Sequence, residues 1–170
     1  QTVKALDHDL IQVALRAYGF DNSVPKTKEA SCPNTEKLTE FLPHASADIL
    51  NKVKALEPYG YTPITKSLQL AGDDLEPYKD LHMSIILISD GKETCGGEPR
   101  AAIDDLRARG INVKIHVIGF DITEEERKQL RSIAEAGGGQ YYDARNAVQL
   151  AKSLSLIIEE IQKDVGKLTW

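Results

Sequence analysis

Apolar and polar positions along this chain follow two periods. Ile11, Val13, Leu15 and Ala17 alternate with Gln12, Ala14 and Arg16, which predicts a strand ended by Gly19. Before it, Val3 and Leu6 stand at helical spacing in a polar stretch, the tail of a helix. Residues 20–35 hold Pro25, Pro33 and almost nothing apolar, so they form a long surface loop, of the kind that is functional or mobile. Lys37, Thr39 and Phe41 alternate with Leu38, Glu40 and Leu42 up to Pro43; this predicts a short edge strand returning antiparallel to the first. Helical periodicity then takes over. Ser46 is placed to cap a helix with Ile49, Val53 and Leu56 on one stripe, and Pro58 and Gly60 end it. Pro63 suits the first turn of the next helix, whose inward face is Ile64, Leu68, Ala71 and Leu75.

Ile85 to Ile88 form an uninterrupted apolar run, predicting a central parallel strand buried on both faces, and Asp90 and Gly91 end it. Three regular units follow. Ala102, Ile103 and Leu106 face inward on a helix closed by Gly110, and Ile111, Val113, Ile115 and Val117 make the next strand, ending at Gly119, Phe120 and Asp121. Thr123 and Glu126 form a capping box opening a helix with Leu130, Ile133 and Ala134 inward; Gly137 to Gly139 close it. Gln140 to Asp143 is a short strand, and from Asn146 a long helix carries Leu150, Leu154, Ile157, Ile158, Ile161 and Val165 on its apolar side. This alternation implies right-handed crossovers and an α/β fold with helices on both faces of a mostly parallel sheet. The carboxyl ends of the strands gather Gly19, Asp90, Asp121 and Asp143 on one edge, where open α/β sheets bind ligands.

With 170 residues and 41% apolar content, a single domain over residues 1–170 is expected. Twenty-six acids against 21 bases leave a net charge of −5 with the bases scattered, which argues against a nucleic-acid surface. The apolar runs are too short to insert into a membrane. His8, His44, His82 and His116 lack triad or metal spacing, so covalent catalysis is not indicated. A hydrolase using Asp90 with Asp121 would lack a specified general acid. A hard cation such as Mg²⁺ fits better, since hydroxyls and one or two carboxylates from separate loops suffice and waters complete the shell. On residues alone Asp90 is a ligand-edge carboxylate or a simple turn, Thr62 an N-cap or something more, and Cys32 and Cys95 two reduced thiols or a bridge.

Four segments in order carry a resemblance: Gly60 to Ile64 (Gly-x-Thr-Pro-Ile), the strand ILISDG, the motif ETCGGEP from Glu93 to Pro99, and VIGFDI followed by GGGQYYDA. Together they resemble a bacterial von Willebrand factor type A domain, from about Ile11 to the last helix. The resemblance implies a three-layer Rossmann-like fold with one antiparallel edge strand and a metal-ion-dependent adhesion site on top of the sheet. Family sites use an Asp-x-Ser-x-Ser motif, a Thr and an Asp; Thr62 and Asp90 match the last two. Gly60, Tyr61, Gly91, Glu93 and Asp121 are then the rim expected to touch a partner.

The chain departs from the family in holding no Asp-x-Ser-x-Ser and no counterpart of the opening central strand. It is therefore expected to begin inside the domain, with that strand upstream or supplied by a second copy through self-association. Mg²⁺, or Mn²⁺ or Ca²⁺ in its place, depends on that motif. In the implied topology Cys32 and Cys95 meet at the upper edge as a disulfide, which favours a periplasmic, secreted or surface-anchored location. The expected function is a non-enzymatic module gripping a protein partner, through an acidic side chain of that partner. The alternatives are a metal-assisted hydrolase or a structural domain with a degenerate site.

Overall fold

A computed structural model of the chain describes residue 7 and residues 9–166. The expected helix tail at the amino terminus falls almost wholly outside the described residues. The elements run β1 (Arg16–Tyr18), α1 (Lys28–Ser31), β2 (Thr35–Lys37), α2 (Ser46–Lys54), α3 (Ile64–Leu75), β3 (Met83–Ser89), α4 (Pro99–Ala108), β4 (Val113–Phe120), α5 (Glu124–Ala136), β5 (Gly138–Ala144) and α6 (Ala147–Gly166). The fold is α/β and Rossmann-like, with helices on both faces of a parallel sheet.

That sheet has the order β3-β4-β5, and β1 and β2 form a separate antiparallel pair. One face of β4 (Val113, Ile115, Val117) packs with Leu68 of α3, Leu106 of α4 and Leu130 and Ile133 of α5. On the other face Ile118 and Ala144 pack with Ile157 of α6. The two cores follow from the period of two along a strand, which sends alternate side chains to opposite helical layers.

Several sequence expectations need correction. β3 is the edge of its three-stranded sheet, not its centre, and Ile88 is 41% exposed instead of buried. The returning strand lies at 35–37, earlier than its alternation suggested: Thr39 Oγ1 takes the Leu15 N–H, and pairing resumes only at Val13 and Leu42. Buried Thr39 thus replaces a ladder bond and displaces the strand. Ser46 does not cap α2; Asp7 does, accepting from both the backbone N–H and the hydroxyl of Ser46 at 3.1 and 2.5 Å. Val53 is 46% exposed and outside the core. Pro63 is the N-cap of α3 instead of its first helical residue.

Gly137 is the C-cap of α5 as expected and Gly138 stands at φ 68°, while a bulge between β4 and β5 accounts for Gly139. Ile115 pairs with Gly138 but Val117 pairs with Tyr141, so β5 carries one extra residue. A Cβ on Gly139 would lie 2.1 Å from the Ile115 carbonyl oxygen, so only glycine allows this approach. The Gln140 N–H donates to Nδ1 of fully buried His116 at 3.2 Å.

Candidate functional site

Asp90 and Thr62, far apart in sequence, line one cavity of about 200 Å³ at the carboxyl ends of β1 and β3. Tyr18, Gly19, Lys26, Tyr59, Gly60 and Tyr61 complete most of its wall. Asp90 is exposed at the end of β3, and the turn beneath it is built on Ser89. The Ser89 hydroxyl donates to the Gly91 carbonyl at 2.8 Å and accepts from Tyr18 Oη at 3.0 Å. Burial pushes the Tyr18 phenol up to about 12; the Ser89 contact lowers it, and the charges of Asp90 and Glu93 raise it. Tyr18 therefore stays protonated and ties β1 to the Asp90 turn.

Thr62 is not the cap of α3, because Pro63 holds that position without a side-chain bond. Its backbone is gripped instead by Thr94: the Thr62 N–H donates to Thr94 Oγ1 at 2.8 Å, and the Thr94 N–H donates to the Thr62 carbonyl at 3.1 Å. A Cβ on Gly91 would lie 3.9 Å from Thr62 Oγ1 and 3.8 Å from Glu126 Oε1, which brings the turn after Asp90, the Thr62 hydroxyl and the α5 capping box into one neighbourhood. Thr123 holds the Glu126 carboxyl below its ordinary value through its hydroxyl and backbone N–H.

The expected rim residues separate. Gly60 and Tyr61 line the cavity and Gly91 adjoins it, whereas Asp121, exposed and in a left-handed turn at φ 50°, does not line the cavity. Glu93 is turned inward and 9% exposed; its two carboxylate oxygens accept from the N–H groups of Thr65 at 2.7 Å and Cys95 at 2.6 Å. It supplies the helix-end bonding that Pro63 cannot, placing a negative charge at the positive end of α3. Cys32 and Cys95 form a disulfide. The long loop is further fixed by Asp21, which accepts from Ser23 and from Asn34 Nδ2.

Sequence reasoning missed Tyr18, Lys26, Ser31, Tyr59, Ser89 and Thr94. The available signal was adjacency: Ser31 and Thr94 immediately precede the two cysteines. Lys26 lies over the Tyr59 ring at 5.6 Å, placing a cation on the cavity wall.

Thr62 and Asp90 offer one hydroxyl and one carboxylate, hard oxygens of the type Mg²⁺ takes. Among the described residues no group of three or more His, Cys, Asp or Glu converges. Among the described residues no helix is long and apolar enough to cross a membrane.

Residues 2–156 match the family model of the von Willebrand factor type A domain. The chain is 35% identical over 135 residues to YwmD of Bacillus subtilis (strain 168), covering 78% of this chain and 60% of that protein. It thus spans somewhat over half the length of this relative. A von Willebrand factor type A structure from Catenulispora acidiphila superposes with a TM-score of 0.65 at 21% identity, covering 92% of this chain and 35% of that one. Proximal thread matrix protein 1 of the mussel byssus, solved with a zinc-occupied MIDAS motif, superposes with a TM-score of 0.59 at 20% identity, covering 86% and 35%. With the family model matched over most of its length, the chain belongs to the von Willebrand factor type A family.

Proposed function

We propose that this chain is a non-enzymatic interaction module that holds a protein partner at the cavity mouth between Thr62 and Asp90, through a divalent cation such as Mg²⁺ that also requires the Asp-x-Ser-x-Ser ligands these 170 residues lack. The observation that carries the reading is that these two residues, 28 positions apart by their residue numbers, line the same cavity at the carboxyl-end edge of the sheet, where open α/β sheets bind ligands. The zinc-occupied MIDAS motif of the mussel protein supports a cation in a domain of this fold. Thr62 and Asp90 would hold the ion, which supplies a positive charge and an exchangeable water position that an acidic partner side chain takes. Lys26 on the same wall adds to the attraction for a carboxylate and opposes a cation, so Asp90 has to outweigh it. The Cys32–Cys95 bridge supports an extracytoplasmic setting, where disulfides persist.

The test is Mg²⁺ titration by calorimetry of the full-length protein and its Asp90→Ala variant, with the urea midpoint measured for both. Saturable binding lost in the variant at an unchanged midpoint is the expected result. Equal binding by the two proteins would remove Asp90 from the site.

A further inference from the structure

Tyr61 and Thr62 are consecutive, lie outside any helix or strand, and satisfy their backbone N–H groups through two side chains from separate segments. Tyr61 N–H donates to Ser31 Oγ at 2.9 Å, and Thr62 N–H donates to Thr94 Oγ1 at 2.8 Å. Ser31 immediately precedes Cys32, and Thr94 immediately precedes Cys95. The two cysteines are joined, with their Cα atoms 5.6 Å apart across 63 positions of chain. The bridge thereby fixes the spacing of the two hydroxyls that grip the Thr62 segment.

We infer that the Cys32–Cys95 disulfide, with Ser31 and Thr94, is a clamp that positions Thr62, so that the redox state of the bridge sets the affinity of the site. The affinity consequence rests on the metal-site reading above; the clamp itself does not. Gly60 shows how closely the segment is held: a Cβ there would lie 2.1 Å from Ser31 Oγ, and its φ of 101° is one that side-chain-bearing residues avoid. The clamped hydroxyls differ in setting, Ser31 being 3% exposed while Thr94 is exposed. The disulfide is the covalent cross-link between the loop carrying Ser31 and the Thr94 segment, so opening it loosens the spacing of the two hydroxyls although Asp21 and the β1–β2 pairing still hold the loop.

Both cysteines are half-buried and line an open cleft with Lys28, Lys66 and Glu93, so a small thiol reaches them. Its thiolate attacks one sulfur and expels the other as a thiolate. A second thiol then releases the first sulfur. The protein gains two electrons and two protons as two cysteine thiols, and the reductant departs as its own disulfide.

The experiment follows amide hydrogen exchange residue by residue in the full-length protein, oxidised and after dithiothreitol, with Mg²⁺ titrated in parallel. Reduction is expected to speed exchange at Tyr61 and Thr62 about tenfold or more while the β4 amides keep their rates. Thr94→Val, which keeps the bridge, should speed exchange at Thr62 and weaken Mg²⁺ about tenfold; Thr94→Ser, which restores the hydroxyl, should recover both. Unchanged exchange at Tyr61 and Thr62 on reduction overturns the clamp, as does a Thr94→Val protein with wild-type exchange at Thr62. Wild-type Mg²⁺ affinity in the reduced protein overturns its control of the site. If exchange responds as expected but neither redox form binds Mg²⁺, the clamp stands and the metal-site reading is the one that fails.

Discussion

Replacing Glu93 by Ala removes a nearly buried carboxylate that fixes two segments at once. One oxygen accepts the Thr65 N–H at the start of α3, and the other accepts the Cys95 N–H beside the disulfide. Hydrogen bonds to a charged group contribute about 1.5–3 kcal/mol each, so the pair is worth about 3–6 kcal/mol gross. Part of that offsets the desolvation of a carboxylate that is only 9% exposed. In the alanine variant the α3 end and the Cys95 amide also lose their acceptors. A net loss of about 3 kcal/mol is expected, equivalent to a fall in Tm of roughly 6–12 °C for a chain of this size. Glu93→Gln retains one amide oxygen and should lose about half as much. Urea unfolding at pH 7 under oxidising conditions measures both variants against the wild type. An alanine variant within about 1 kcal/mol of wild type would refute the assignment of these bonds as structural, and would return Glu93 to the exposed rim.

Gly139→Ala forces a methyl group against the Ile115 carbonyl, where backbone cannot yield as a side chain would; a loss of about 2–3 kcal/mol in urea unfolding is expected, and a neutral result would contradict the bulge. Burial holds the His116 imidazole below its ordinary 6.5; Glu160 and Asp164 act to raise it, and Lys114 to lower it. The unfolded chain therefore binds the proton more readily. Stability should fall as pH drops below about 6.5, and His116→Gln should flatten that part of the profile in urea melts between pH 5 and 8. The carboxylates of Glu126, held low by Thr123, and Asp21, held low by Ser23 and Asn34, should contribute only at more acid pH.

Where one local rule dominates, the sequence suffices. The Thr123–Glu126 capping box, the inward faces of α4 and α5 and the parallel pairing of β3 with β4 all follow from periodicity and short-range side-chain bonding. Such features involve residues within a turn or two of each other, or a period that repeats enough times to be read. The family resemblance, carried by motifs in order, then joined Thr62 to Asp90 and Cys32 to Cys95.

Other features depended on partners distant in the chain. Ser46 looks like a cap in its own segment, yet the capping carboxylate comes from Asp7, which lies 39 positions earlier. Glu93 reads as an exposed acid beside a glycine turn, and only the approach of the α3 end reveals two backbone donors within its reach. Apolar residues at 85–88 imply two buried faces, but β3 lies at the edge of its sheet and Ile88, although paired with buried Ile118, is 41% exposed. The sequence by itself determined the layered α/β class and placed Asp90 at the carboxyl end of a strand. Tertiary structure decided which carboxylate caps, which one faces the cavity, and which hydroxyls hold Thr62. Hydrogen-bond satisfaction is a property of what folds nearby, and no local pattern specifies it.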